Sequence, residues 1–224
     1  MEFIDKIITD VKSCIESIPE ENQEFIEIEA RLGIFDQENK IFDSNIGEDN
    51  YEMIESMLNT FNGWKNFSKS ETTDYYSENM RLSICSEGTK KCIEKTRIKN
   101  FTYMTENLPL DIRISISIEK PIAVSKFPRA KSSLKNRQKS RISREYQKAT
   151  FDTTKVISTD KGETVETFEI EVEHIGTLGS SIENSVFQIF YKILDCNYCC
   201  DGFIKTESSL LPIETFSAQE ITSK

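Results

Sequence analysis

The sequence predicts an α+β fold, mainly β, in which an antiparallel sheet closes into a barrel with a polar, charged interior and a few helices outside. Three observations carry that expectation. In residues 167–175, Glu169, Glu171 and Glu173 alternate with Phe168, Ile170 and Val172, and in residues 24–33, Glu27, Glu29 and Arg31 alternate with Ile26, Ile28 and Ala30. Other stretches carry the opposite charge in the same rhythm: Arg137-x-Lys139-x-Arg141, and Lys91, Lys95 and Arg97 on one face of residues 91–98. A third kind of strand, residues 111–120, sets an unbroken face of Ile112, Ile114, Ile116 and Ile118 against Arg113, Ser115, Ser117 and Glu119. Carboxylates two residues apart on a strand lie about 6.7 Å from each other. At an effective dielectric of about 20, each such pair repels by roughly 2–3 kcal/mol. Two such faces in one chain call for either bulk water or an intervening cation.

Taken in order, residues 3–18 read as an amphipathic helix, with Ile4, Ile7, Ile8, Val11, Ile15 and Ile18 at helical spacing and Pro19 ending it. Its mixed polar face suits a core or interface contact rather than a membrane surface. The first Glu-rich strand follows. Residues 35–50 are polar and loop-like, with Gly47 and Asp49 as breakers, and residues 51–61 form a second helix with Tyr51, Ile54, Leu58 and Phe61 on one side. Strands then dominate residues 68–156. Residues 80–85 alternate around Arg81 and Ser83, Pro121 and Pro128 bracket a connection, and Thr150, Asp152 and Thr154 share a face. After a turn at Asp160-Lys-Gly162 comes the second Glu-rich strand. Residues 180–194 form a helix opened by a Ser180-x-x-Glu183 capping box, with Val186, Ile189, Phe190, Ile193 and Leu194 in its stripe. The 224 residues read as one domain, with the N-terminal helix at 1–19 and a short strand and polar tail at 205–224.

Composition removes several classes of function. A net charge of −10 disfavours non-specific attraction to long nucleic acid, so any such contact should be local. No apolar run approaches the roughly 20 residues of a membrane span, and the N-terminus lacks a signal-peptide pattern, so the expected setting is nuclear or cytosolic, with reduced cysteines. Cys196-x-x-Cys199-Cys200 is half of a zinc pattern without a second pair, and His174, the one histidine, reads as a packing residue. The Cys92 to Arg97 spacing is one residue short for a cysteine phosphatase. There is no Walker A loop and no dinucleotide-binding glycine fingerprint. The basic run at 126–148 divides: 126–135 suits a basic loop or nuclear-localisation patch, whereas 137–141 alternates strictly.

With the polar faces turned inward, the lumen has carboxylates on one wall and cations on the other. Oxygen ligands of that kind suit Mg²⁺ or Mn²⁺, and a phosphate chain would bridge metal and cations, which is the composition of a phosphoryl-transfer site.

Glu27-x-Glu29, Arg137-x-Lys139-x-Arg141 and Glu169-x-Glu171-x-Glu173 together resemble the motifs of the metal-dependent RNA 5′-triphosphatases of fungi, protozoa and some viruses, members of the triphosphate tunnel metalloenzyme superfamily. The resemblance runs from about Glu24 to Glu173 and includes the helix after the last strand. It implies a closed eight-stranded antiparallel β-barrel, or tunnel, that removes the γ-phosphate from triphosphate-ended nascent mRNA, the first step of capping. It further implies Glu27, Glu29 and Glu173 as metal ligands supported by Glu169 and Glu171. Glu119 matches the carboxylate assigned to the attacking water, and Arg81, Lys95, Arg137, Lys139 and Arg141 match the cations that bind phosphate oxygens. Asp152 and Thr154 match a structural Asp-x-Thr element. One departure is visible: the fungal pattern has Arg where this sequence has Thr150, with Lys148 a candidate source of the missing charge. The implied partners are the 5′-triphosphate end of RNA and the guanylyltransferase of the capping apparatus, although no tryptophan-containing docking peptide stands out. The fungal members also imply a homodimer, and the implied localisation is nuclear, or cytoplasmic for a viral protein. Related tunnel enzymes acting on tripolyphosphate, nucleoside triphosphate or thiamine triphosphate, and a barrel that binds phosphate ligands without turnover, stay open as alternatives.

Overall fold

The computed structural model describes residues 2–105, 108–128, 135–160, 162–176, 182–200 and 218–220. Its helices are α1 (Glu2–Glu16), α2 (Glu48–Thr60) and α3 (Ile182–Cys200). Its strands are β1 (Ile26–Asp36), β2 (Ile41–Asp43), β3 (Asn66–Ser77), β4 (Met80–Cys85), β5 (Lys90–Thr105), β6 (Asp111–Pro121), β7 (Asn136–Tyr146), β8 (Ala149–Asp160), β9 (Glu163–His174) and β10 (Ala218–Glu220). Eight of the strands form a ring in the order β1, β6, β5, β4, β3, β7, β8, β9 and back to β1, and every pairing is antiparallel. The closed barrel expected from the sequence is therefore present. Two short strands lie outside the ring, β2 on β1 and β10 on β5. Closure leaves the eight long strands without free edges.

On β1, β6 and β9 strict alternation sends the apolar face outward and the charged face inward. Ile28, Ala30 and Leu32 of β1, Ile112, Ile114 and Ile116 of β6, and Ile170 and Val172 of β9 are all buried against the helices. Ile7, Val11 and Ile15 of α1 and Val186, Ile189, Phe190 and Ile193 of α3 fill the same core. The helices thus back one side of the barrel, β6, β1 and β9. The outer face of β3 is mostly exposed. A small separate cluster of Leu82, Cys92 and Phe127 seats the 122–128 connection on β4 and β5.

One departure from alternation matters. In the β5–β6 pairing the register shifts between Arg97 and Lys99, leaving Ile98 as a bulge. Before it Lys95 faces Glu119 and Arg97 faces Ser117; after it Asn100 faces Ser115, while Phe101 and Tyr103 pair with Ile114 and Ile112 on the buried outer face. Without the extra residue both rings would point into the charged lumen.

Several boundaries differ from the sequence expectation. Residues 35–50 hold the end of β1, all of β2 and the start of α2 rather than one loop. The helix begins at Glu48 because Gly47, at φ 78°, makes the turn, and Glu48 and Asp49 then sit favourably at the helix N-terminus. The third helix continues past Leu194 to Cys200, held by buried Cys196 and by Asn197 Nδ2, which donates to the Leu110 carbonyl at 2.5 Å. That places Cys196, Cys199 and Cys200 on one helix as free thiols. Ser180 of the expected capping box lies outside the described residues, as do 129–134 of the basic run and most of the 205–224 tail.

Candidate active site: the charged lumen

Every side chain picked out from the sequence as a site residue projects into the barrel. Closure brings Glu27, Glu29 and Arg31 of β1 beside Glu169, Glu171 and Glu173 of β9, with Glu29 directly opposite Glu173 and Arg31 opposite Glu171. Across β8, Asp152 lies opposite Glu171 and Thr154 opposite Glu169. On the far side Arg137, Lys139 and Arg141 project from β7, Arg81 from β4 and Lys95 from β5.

The charges are heavily paired. Lys95 bridges Glu27 and Glu119, the latter at 2.8 Å, and Arg81 also reaches Glu119 at 3.3 Å. Ser117 Oγ donates to Glu27 at 2.8 Å. Arg141 reaches Asp152 at 2.7 Å and Glu171 at 2.9 Å, and its Nε donates to Thr154 Oγ1 at 3.2 Å. Arg137 pairs with Glu169, and Lys139 with Asp74 at 2.6 Å. Arg31 gathers Glu29, Glu169 and Glu171 at 3.1, 3.4 and 2.7 Å, while Arg97 takes the other oxygen of Glu29 at 3.2 Å.

The pairing is uneven, and the surroundings of each carboxylate show where. Burial pushes the Glu29 carboxyl up, but Arg31, Lys95 and Arg97 outweigh it and hold the group well below the usual range. Burial likewise opposes Arg31 and Arg141 at Glu171, and the cations win, bringing it to about 2. Glu173 behaves in the opposite way. Burial, then the charges of Glu27, Glu171, Asp152 and Glu29, push it up to about 8, and no ion pair to it occurs among the described residues. Burial and Glu29 also raise Glu27 against the pull of Lys95, and burial raises Asp152 against Arg141. Negative charge is therefore undercompensated at one place, where β1, β9 and β8 meet.

That place has the donor set for a hard cation. Among the described residues, carboxylate oxygens of Asp152, Glu171 and Glu173 lie within 4.8 Å of one another. Glu27 and Glu29, expected to complete the site with Glu173, project from the adjoining strand but are held by Lys95, Ser117, Arg31 and Arg97. All-oxygen ligation suits Mg²⁺ or Mn²⁺. Thr150 lies directly opposite Glu173, so an arginine absent from that position leaves this carboxylate without a cation. Lys148 does not replace it: no ion pair joins Lys148 to Glu173 among the described residues.

Three members of the network were not picked out as site residues from the sequence. Arg31 was visible as the third inward position of Glu27-x-Glu29-x-Arg31, and Arg97 as the inward neighbour of Lys95. Asp74 had no such signal, because β3 is too rich in Ser, Thr and Glu to reveal an apolar alternation.

The profile of the family described as "mRNA capping enzyme, beta chain" matches residues 2–178. A search of curated proteins by sequence gives no match. Among solved structures, the fold is similar to the S. pombe Pct1 RNA triphosphatase, with a TM-score of 0.74 at 20% identity over 88% of this chain and 93% of that one. The same fungal protein in complex with the Spt5 CTD aligns with a TM-score of 0.74 at 21% identity over 88% of this chain and 92% of that one. The Mimivirus capping enzyme triphosphatase aligns with a TM-score of 0.59 at 14% identity, over 87% of this chain and 96% of that one.

Proposed function

This chain belongs to the mRNA capping enzyme β-chain family, the mRNA triphosphatases, and from that premise we propose how its lumen works. The protein is a polynucleotide 5′-triphosphatase. It hydrolyses the terminal phosphoanhydride of triphosphate-ended nascent mRNA and leaves a diphosphate end for capping. The observation that carries the reading of the site is Glu173, a carboxylate raised to about 8 by burial and then by four neighbouring acids, with no ion pair among the described residues.

A divalent metal, Mg²⁺ or Mn²⁺, answers that deficit. Glu173, Glu27 and Glu29 would hold it, with Asp152 and Glu171 adjoining. Bound there, the ion supplies neutralisation of charge on the γ-phosphoryl oxygens. The remaining work falls to the chain. Arg137, Lys139, Arg141, Arg81 and Lys95 line the opposite side and hold phosphate oxygens, the arginines through two-pronged contacts and the lysines as point charges. Their present partners Glu169, Asp74 and Asp152 fix these side chains before substrate arrives, so little reorganisation is needed on binding. Glu119, gripped by Arg81 and Lys95, orients the attacking water and accepts its proton. Thr154 and Asp152 position Arg141. As bonding to the γ-phosphorus loosens, charge moves toward the leaving diphosphate oxygen, and the cations follow it.

The proposal extends to the guanylyltransferase of the capping apparatus as protein partner and to a homodimer, in the nucleus or, for a viral protein, the cytoplasm. Among the described residues no helix is long and apolar enough to cross a membrane. Phosphate release from triphosphate-ended RNA, with and without divalent metal, tests the central reading. Glu27→Ala and Glu173→Ala should each abolish release while circular dichroism stays unchanged. Near-normal release from both variants with metal present overturns it.

A further inference from the structure

The lumen holds a second imbalance, of opposite sign. Arg113 of β6 stands directly opposite Arg31 of β1, and Arg97 of β5 lies within its field. Arg31 and Arg97 are paired with carboxylates, but no ion pair to Arg113 occurs among the described residues, and its Nε is buried without a hydrogen-bond partner. What Arg113 touches is a ring: its guanidinium sits 4.5 Å from the centroid of Phe42. That stack is built into the fold. Phe42 packs over Gly33, where a Cβ would come within 2.5 Å of the ring and 2.1 Å of the Asp43 carbonyl. Only glycine lets β2 lie so close, and the ring it admits fixes the plane of the guanidinium. Burial, then Arg31, lower the pKa of Arg113 to about 10, the mark of a cation short of negative charge.

Position says which anion belongs there. Arg113 precedes Glu119 by six residues on the same strand, about 20 Å at a rise of roughly 3.3 Å per residue. A triphosphate whose γ-phosphorus lies by Glu119 does not span that length, whereas the chain attached to it does. Arg97, whose side chain is 37% exposed, stands opposite Ser117 between Glu119 and Arg113, so solvent reaches the lumen between the two.

We propose that Arg113, stacked on Phe42 and flanked by Arg97, is a subsite for a phosphodiester of the RNA chain downstream of the 5′-triphosphate. The subsite rests on the triphosphatase reading and adds to it a means of selecting a polynucleotide end over a free triphosphate. Arg113 is here a substrate-binding group remote from the reacting atoms.

The test compares wild type with Arg113→Gln on two substrates, a triphosphate-ended RNA oligonucleotide and inorganic tripolyphosphate. The ratio of kcat/KM on RNA to that on tripolyphosphate should fall about tenfold in the variant, chiefly through KM, with partial recovery in Arg113→Lys. The slope of RNA binding against salt should fall by about 1, since one phosphate contact is lost. Because Arg113 has no ion pair to abandon among the described residues, and gives up only its stack on Phe42, the variant should melt close to wild type. An unchanged ratio, or equal losses on both substrates, overturns the subsite. If wild type releases no phosphate at all, the triphosphatase reading fails by itself. Fluorescence anisotropy of labelled RNA on the same two proteins then still decides the contact: equal affinities reject it, and a weaker, less salt-dependent variant supports it.

Discussion

Two buried ionic clusters lie within this molecule, one on each side of the same strands. Outside the barrel, Arg144 of β7 is fully buried and gives both terminal nitrogens to Glu55 of α2, one of them also to Asn59, while Thr153 donates to Glu55 at 2.7 Å. Burial raises Glu55, but the hydrogen bonds from Arg144 and Thr153 outweigh it and bring its carboxyl below the usual range. One cation meets one anion, and the cluster fastens α2 to the barrel. Inside, Glu173 meets four acids and no cation and is pushed up to about 8. Both clusters are buried, and burial costs each of them. The difference is completeness: the outer cluster is balanced by the protein itself, whereas the inner one is left for a ligand to balance.

That contrast can be broken most sharply by deleting one carboxylate from each side. Glu55→Ala strands Arg144 in the core and should cost about 3–5 kcal/mol in urea unfolding. Glu173→Gln removes a repelled charge and should leave metal-free stability equal to or above wild type, while phosphate release is lost. Comparable destabilisation by both changes would mean that the inner cluster is structural too.

A pH titration sharpens the comparison at the next level. The folded pKa of Glu173, about 8, lies above the ordinary carboxylate value of 4.5. Between those two limits the folded state binds the extra proton, so unfolding free energy should fall as pH rises from about 5 to about 8. The stability from this group is complete below the lower value and lost above the higher one. Saturating Mg²⁺ or Mn²⁺ should remove the decline, and a chelator should restore it, as read by melting temperature across pH. The smallest expected effect comes from Thr150→Arg, which puts a cation directly opposite Glu173. It should flatten the metal-free pH dependence, and a slope equal to that of wild type would show that an added charge at this position does not reach Glu173.

The inward faces were legible wherever one strand alternated cleanly. Glu27-x-Glu29, Arg137-x-Lys139-x-Arg141 and Glu169-x-Glu171-x-Glu173 carry their side-chain direction in their spacing, because the strand period is two. Ile112 to Ile118 displayed the other face of the same rule. Asp74 escaped because Lys69, Glu71 and Thr73 interrupt the apolar face of β3 between Phe67 and Tyr75, so no alternation sets its phase. The Ile98 bulge escaped for a related reason: residues on either side of it alternate normally, and only pairing with β6 reveals the changed phase. The third helix ran past Leu194 because tertiary contacts of Cys196 and Asn197 extended it, whereas the start of the second was set locally by the turn at Gly47.

The sequence alone determined the strand faces and the sign of charge on each, since both follow from period-two geometry and side-chain chemistry. Tertiary structure decided which charges neutralise one another. Closure set Glu29 across from Glu173, gave Arg31 three carboxylates, and left Glu173 and Arg113 each short of a counter-charge. Coulomb energy depends on distance through space, and strands remote in the chain acquire that distance only when the ring closes.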